Sequence, residues 1–339
     1  MTIVELTPRL DPAWRDYVST HPDRTVYHTL GWRDLLVETY GYSPSYLLAM
    51  DGETVAGALP LMRFKPFLGR RRITSLPFSH WVPLLADGPA GAALLERAVG
   101  LAQKSSSQLI VKAPGALGPG FGTVLRNMDT TVDLSPSIED VWKRVVSAAQ
   151  RSTRKAEKRG IVIRTEVTAD GIEQYERLEC ETRKRQGAPP YPKGFFHRLF
   201  RLVEGAGLFL AELEGAGVGG LVLLPSGRTL VYGYGGSNAA GQGAGANDLL
   251  TWRAIQHAKE QGFERYDFGT TPVHHESLLK FKEKWGGETI ELPYSVWPAT
   301  ASAGPKRDGR AVKLVSEILR RSPDAVFRTL GPWLLKQVG

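Results

Sequence analysis

Tyr266-Asp267-Phe268-Gly269 is followed, ten positions after Gly269, by Leu279-Lys280-Phe281-Lys282-Glu283-Lys284-Trp285-Gly286. The first stretch reads as a short strand that ends in an Asp. A loop holding His274 and His275 comes next, then a helical turn closed by two glycines. Phe281 and Lys282 are neighbours on that turn and cannot both be buried. A fold has no need of a Lys beside a Phe after an Asp-tipped strand, whereas chemistry on an anion or a carbonyl oxygen does. Lys282 could set a cation beside a developing oxyanion, a large electrostatic term in acyl transfer. Asp267 could accept a proton from an amine or orient it. The plain structural alternative has Asp267 capping a turn and Lys282 on the surface.

Outward from this stretch, the chain of 339 residues is long enough for two domains. Its 42% hydrophobic and 23% charged residues are those of an ordinary soluble globular protein, and 37 glycines with 22 prolines imply many turns. A net charge of +8 suggests a partner with phosphates, such as nucleic acid, a nucleotide-linked substrate or an anionic membrane surface. A single cysteine, Cys180, forbids an intrachain disulfide and falls in a helical pattern, so it reads as core. The N-terminus lacks a basic region followed by an apolar run, and no stretch reaches about 18 consecutive apolar residues. A cytoplasmic location is expected, with contact at the inner face of a membrane open.

The chain divides into two similar halves. In each, a helix (around Trp32–Leu36, then Phe195–Phe200) precedes a hairpin. The hairpins turn at Asp51-Gly52 and Glu214-Gly215, between alternating apolar runs. The second half adds a strand at Thr229–Gly235, a Gly-rich loop and a helix from Asp248 to Gln261. Residues 138–158 read as mostly helical. The expected domains are 1–138 and 139–298, followed by a linker and basic amphipathic tail over 299–339. The tail carries an apolar stripe of Val312, Val315, Ile318 and Leu319 among Lys313, Arg320 and Arg321, with a shorter helix after Pro323.

Three further constellations could serve a polyanionic or acyl substrate. Arg151, Arg154, Lys155 and Lys158 recur at three- and four-residue spacing and share a helix face, either a phosphate stripe or a solvated surface. The run Thr182-Arg183-Lys184-Arg185-Gln186-Gly187 ends a helix in cations, and a Pro-stiffened loop carrying Tyr191 follows. Cations at a cleft mouth and cations that merely answer the helix dipole are both open readings. Asn238–Asp248 is Gly-rich before a helix, so backbone N–H groups could approach a phosphate, or it is a flexible connection. Its Gln242-x-x-Gly245 partly resembles the acetyl-CoA loop of GNAT acetyltransferases, although Asn247 stands where that loop has a small residue. Ser79-His80-Trp81 is a rigid polar-aromatic loop tip, a cleft wall or a packed loop. His274-His275 has only Glu276 adjacent, so no metal site is expected. Gly-x-Ser-x-Gly is missing, and direct attack by a substrate amine fits better than a covalent enzyme intermediate.

The chain resembles the FemAB/FemX-like branch of the GNAT acyltransferases. The resemblance rests on Leu249-Leu250-Thr251-Trp252-Arg253-Ala254-Ile255, Asp267-Phe268-Gly269 and Leu279-Lys280-Phe281-Lys282-x-x-Trp285-Gly286. Arg151-x-x-Arg154-Lys155, Thr182-Arg183-x-Arg185-x-Gly187-x-Pro189 and Leu76-Pro77-Phe78-Ser79 support it upstream. The C-terminal basic segment with Leu330-Gly331-Pro332 is similar to that of FemAB-like proteins linked to exopolysaccharide and exosortase systems. The resemblance implies an α+β fold of two tandem GNAT-like domains, with mixed, mostly antiparallel sheets flanked by helices and a C-terminal helical tail. It implies N-acyl transfer with Lys282 steadying the reacting carbonyl. The donor would be aminoacyl-tRNA or acyl-CoA, with no tightly bound cofactor. The acceptor would be an amine of an envelope glycan or peptide precursor. This chain has no room for the long helical hairpin of the peptidoglycan-bridging members, so the donor stays open between the two.

The expected catalytic pair is Lys282 and Asp267. Arg151, Arg154, Arg183, Tyr191, His80, Tyr234, Phe281 and Trp285 are the expected substrate contacts, and Gln242, Gly243 and Gly245 the donor contacts. Two views compete with this: an acetyl- or acyl-CoA-dependent GNAT N-acyltransferase acting on a small molecule or amino sugar, and a non-catalytic binding module in envelope glycan assembly.

Overall fold

A computed structural model describes residues 1–67, 70–86, 88–113, 117–300 and 310–338. Most of the expected linker, residues 301–309, lies outside the described residues. The chain forms two compact units. The first holds residues 1–126 and takes back residues from 292 onward; the second holds 127–291 and most of the C-terminal tail. The expected boundary at 138 therefore falls inside the second unit, because one long strand crosses from the first unit into the second.

The first unit runs β1 (Thr2–Glu5), α1 (Asp11–Thr20), α2 (Leu30–Tyr40), β2 (Ser43–Pro44), β3 (Leu47–Asp51), β4 (Thr54–Leu59), β5 (Met62–Phe64), β6 (Arg72–Thr74), β7 (Leu85–Ala86), α3 (Gly88–Lys104) and β8 (Gln108–Val111). β1, β3, β4 and β7 make one sheet, and β8, β6, β5 and β2 run side by side in a second. The Asp51-Gly52 hairpin is present, with Gly52 at φ +61° where a side chain would be strained. Leu47, Leu59, Leu94, Leu109 and Val111 fill the core of this unit.

β9 (Gly122–Asp133) leads into the second unit. There follow α4 (Ile138–Arg144), α5 (Ser147–Lys158), β10 (Val162–Arg164), α6 (Ala169–Gln186), α7 (Phe195–Leu202), β11 (Gly207–Leu213), β12 (Ala216–Ser226), β13 (Thr229–Ser237), α8 (Ala239–Ala244), α9 (Ala246–Glu260), β14 (Arg265–Pro272), α10 (Glu276–Glu283), β15 (Glu288–Trp297), α11 (Arg310–Arg321) and α12 (Asp324–Val338). The sheet order is β10-β11-β12-β13-β14-β9. All neighbours are antiparallel except β13 and β14, which are parallel.

The parallel pair decides the shape of the site. β13 and β14 bond only over Thr229–Val231 and Arg265–Asp267, although β13 continues to Ser237 and β14 to Pro272. The strands part after Val231 and Asp267, and β14 goes on paired to β9 alone. Backbone groups on the facing edges beyond that point are left without a ladder, which a polar ligand can use.

Two sequence expectations need correction here. The Gly-rich segment is helical: Ala239–Ala244 is one short turn of helix, and the chain breaks at Gly245 (φ +85°) before α9. Asn238 caps that turn by accepting from the Gly241 N–H at 2.9 Å, so the cap outweighs the low helix propensity of the glycines. The second tail helix, at 15 residues, is longer than the first, at 12, because Pro332 is accommodated inside it.

Candidate active site

Lys282 sits on α10, whose N-terminus is capped by His275 accepting from the Leu278 N–H at 3.3 Å. Of the neighbours Phe281 and Lys282, the lysine is the buried one, only 5% exposed, and Phe281 lies half-buried on the edge of the core. Trp285 is fully buried and seats this turn. The expectation that Trp285 touches substrate is therefore corrected: its ring is enclosed by the unit's own core. Gly286 follows because a side chain there would stand 2.6 Å from Arg144 Cβ, in a left-handed backbone (φ +75°).

The Lys282 Nζ donates to the carbonyl of Gly269, at the bend where β14 parts from β13. Asp267, the last residue of the parallel pairing, accepts from the Gly269 N–H through Oδ1 at 2.5 Å. A second carboxyl, Asp129 of β9, joins them, a residue the sequence reading did not single out. Burial pushes the Asp267 carboxyl well above its ordinary range, and the neighbouring Asp129 adds to the shift. Burial also raises Asp129, against hydrogen bonding from Asp267 and the charge of Lys282. Burial lowers the Lys282 ammonium to about 8, against the pull of both carboxyls. One buried cation under the influence of two carboxyls, at the mouth of a strand split, is a group that can hold a proton and polarise a carbonyl near neutral pH.

A second cluster lines α6. Glu179 is 5% exposed, and burial raises its carboxyl to about 7, with Arg183 opposing the shift. Arg183 Nε lies 3.7 Å from Glu179 Oε1, and the guanidinium stands over the Tyr191 ring at 4.5 Å. Tyr191 stacks on Phe195 and meets Tyr234 edge-on, with centroids 4.7 and 5.2 Å apart. Gly236 of β13 lets α6 approach this closely, since a Cβ there would stand 2.7 Å from Glu179 Cα. Arg183, Tyr191 and Tyr234, three of the expected substrate contacts, thus lie against one another.

Arg151 and Arg154 lie exposed on α5. Just past the C-terminus of α5, Arg159 Nη1 donates to the Gly243 carbonyl at 2.7 Å. Gln242, with its amide oriented to satisfy both ends, accepts from Arg185 Nη2 at 2.7 Å, and Arg185 also donates to the Ser237 carbonyl at 3.0 Å. Gly243 leaves open space, whereas Gly241 and Gly245 are needed for packing. Side chains there would stand 2.1 Å from the Val218 carbonyl oxygen and 2.9 Å from Ser152 Oγ. Asp248 in the first turn of α9 pairs with Lys284 at 2.5 Å, so that helix start already carries a negative charge.

His80 lies in the first unit, in a packed loop rather than a cleft wall. Its ring stands edge-on to Tyr27, and buried Lys112 ties the loop through the Leu76 and Ser79 carbonyls at 2.8 and 2.9 Å. Cys180 is buried in contact with tail residues Leu319 and Phe327. Among the described residues no group of three or more His, Cys, Asp or Glu side chains is placed to hold a metal ion.

Residues 143–282 match the family model for an acetyltransferase (GNAT) domain. No curated protein matches the sequence. Among solved structures, FemX superposes with a TM-score of 0.69 at 16% identity, covering 87% of this chain and 97% of that one. L-PGS from Bacillus licheniformis gives 0.56 at 15%, covering 89% and 98%. A tandem GNAT protein from the clavulanic acid biosynthesis pathway gives 0.53 at 15%, covering 90% and 99%. The α+β fold with tandem GNAT-like domains and a helical tail is the one expected from the sequence. The parting of β13 from β14 falls within the residues matched to the GNAT domain.

Proposed function

We propose that this chain, an acyltransferase of the FemAB-like GNAT branch, transfers an acyl or aminoacyl group to the amine of a cell-envelope precursor or polysaccharide. The observation that carries the reading is buried Lys282 beside Asp267 at the mouth of the β13–β14 split. The acceptor amine attacks the donor carbonyl directly. Lys282 steadies the oxyanion, a stabilisation that grows as charge develops. Asp267 orients the amine and takes its proton. Arg183, with Tyr191 and Tyr234, forms the wall that holds substrate, and exposed Arg151 and Arg154 meet donor phosphates.

The GNAT domain match favours acyl-CoA as donor. The exposed cationic face of α5 favours a longer polyanion, aminoacyl-tRNA. Mass spectrometry of donor consumption by the purified chain, with each donor in turn, separates them. The tRNA reading requires loss of turnover with ribonuclease and a steep fall with salt. Consumption of neither donor in the presence of amine acceptors would sink the enzymatic reading.

The tail supports a peripheral membrane role for the same enzyme. Leu314, Ile318 and Leu330 are 63%, 58% and 56% exposed, among exposed Lys313, Arg320, Arg321 and Arg328. An apolar stripe set in cations fits an anionic bilayer surface, close to where a lipid-linked acceptor would be found. No described helix is long and apolar enough to cross a membrane.

A further inference from the structure

Asp129 is the buried carboxyl that the chemistry above leaves unused. Its Oδ1 is sealed from solvent and has no hydrogen-bond partner among the described residues. The strand register explains where it sits. Asp267 stands opposite Thr131 and Thr270 opposite Asp129, with an irregularity in β14 between them. Phe268 and Gly269 of β14 stand opposite Thr130 alone in that bulge, and Asp129, two residues from Thr131, lies on the strand face that Asp267 shares, diagonal to it. The Asp129 and Asp267 carboxyls come within hydrogen-bonding reach of each other. Two ionised carboxylates only accept, so they cannot satisfy one another; a proton on one makes it a donor to the other.

The groups facing the pair are few. From α10 comes the Lys282 ammonium, whose charge acts on both carboxyls. From the backbone come the Gly269 N–H, given to Asp267, and the Thr130 N–H, given to Asp129.

We infer that Asp129 and Asp267 form one acid–base unit with a single shared proton, Asp267 donating to the Asp129 carboxylate, and that Asp129 is the proton-holding partner that lets Asp267 act as a base. This rests on the proposed acyl transfer. As the C–N bond forms, the amine nitrogen gives one proton to Asp267 Oδ1, the oxygen that also accepts the Gly269 N–H. The proton already on Asp267 passes to Asp129, so the pair then holds two. When the tetrahedral intermediate collapses and the bond to the donor's leaving group breaks, the relay reverses. One proton goes to the leaving thiolate or alkoxide, and the pair keeps one, as at the start. Lys282 stays an ammonium throughout, and the oxyanion it faced becomes the new amide oxygen.

The test is a carbon-13 titration of aspartate carboxyls in the full chain, which needs no substrate. The wild type should show Asp129 and Asp267 titrating as a coupled pair, with one of the two steps displaced well above the usual carboxylate range. In Asp129→Asn, Asp267 should titrate in a single step at lower pH. Independent single steps for the two residues in the wild type would overturn the inference whether or not the variant folds. Once a donor is known, Asp129→Asn should lower kcat by on the order of 10²-fold with KM for the donor unchanged, and move the acid limb of the pH profile upward, because the wild-type limb is the lower step of the pair and the variant loses the shared proton that depresses it. An unmoved acid limb would also overturn it. Loss of the oxyanion role of Lys282 would leave the titration intact, so the two readings fail separately.

Discussion

The Lys282 ammonium, sealed under α10, donates to the carbonyl of Gly269 two residues beyond Asp267, so a cation is fixed where the sheet splits. Turnover should fall by about 10²–10³ in Lys282→Ala if this is the oxyanion donor. Its lowered value near 8 makes activity and stability run in opposite directions with pH. Activity should decline as pH rises through 8, because the cation is lost. Stability should rise between about 8 and 10.5, because the unfolded chain holds the Lys282 proton where the folded chain has released it. The gain is at most about 3 kcal/mol. Chemical denaturation of wild type and Lys282→Met across this window checks it. A wild-type slope that survives in Lys282→Met assigns it to other groups.

Glu179 has the reverse sign. A carboxyl raised to about 7 from 4.5 keeps its proton in the folded chain after the unfolded chain has lost it. Stability should therefore fall as pH rises from about 4.5 to 7, then level off, by no more than about 3 kcal/mol. Glu179→Gln should flatten that segment of the curve. Identical slopes in the two proteins would refute the assignment.

The sequence disclosed Lys282, the proposed oxyanion donor, because a charge beside a Phe, in a glycine-bounded turn, is locally costly and so stands out. The hairpins at Asp51-Gly52 and Glu214-Gly215 were legible for the same kind of reason, a turn residue between alternating apolar runs. Asp129 was not legible. It lies mid-strand in Asn127-Met128-Asp129-Thr130-Thr131, and only the pairing of β9 with β14 sets it diagonal to Asp267 on one face. Glu179 was hidden too, since a Glu on a helix reads as solvated until Gly236 brings the helix down on the sheet. The Gly-rich segment misled in the other direction. Gly241 and Gly245 are there for tight packing against Val218 and Ser152, and composition alone cannot separate that from a phosphate cradle.

Gly187, the left-handed C-cap of α6 at φ +67°, is where the tail leans on the Arg183 loop. A Cβ there would stand 2.4 Å from the Ser316 carbonyl oxygen of α11, a backbone atom that cannot swing aside. Gly187→Ala should cost at least about 2 kcal/mol, part from the backbone conformation and part from the displaced tail. Limited proteolysis should then cut the tail faster than in the wild type. Unchanged cleavage and unchanged melting would show that α11 does not depend on this contact.

The tail should also bind anionic bilayers. Each exposed cation near such a surface contributes about 1 kcal/mol, and the apolar stripe adds burial beneath the headgroups. Co-sedimentation with vesicles containing phosphatidylserine should be strong at low salt, weak at high salt and weak with neutral lipid. Leu314→Glu with Ile318→Glu should reduce binding by at least about 10-fold, because two apolar side chains leave the bilayer and two like charges meet it. Both positions are exposed, so the fold should tolerate the change, with melting within about 1 kcal/mol of the wild type. Binding that persists in the double variant at high salt would place the contact elsewhere on the chain, and no binding at low salt would remove the membrane role.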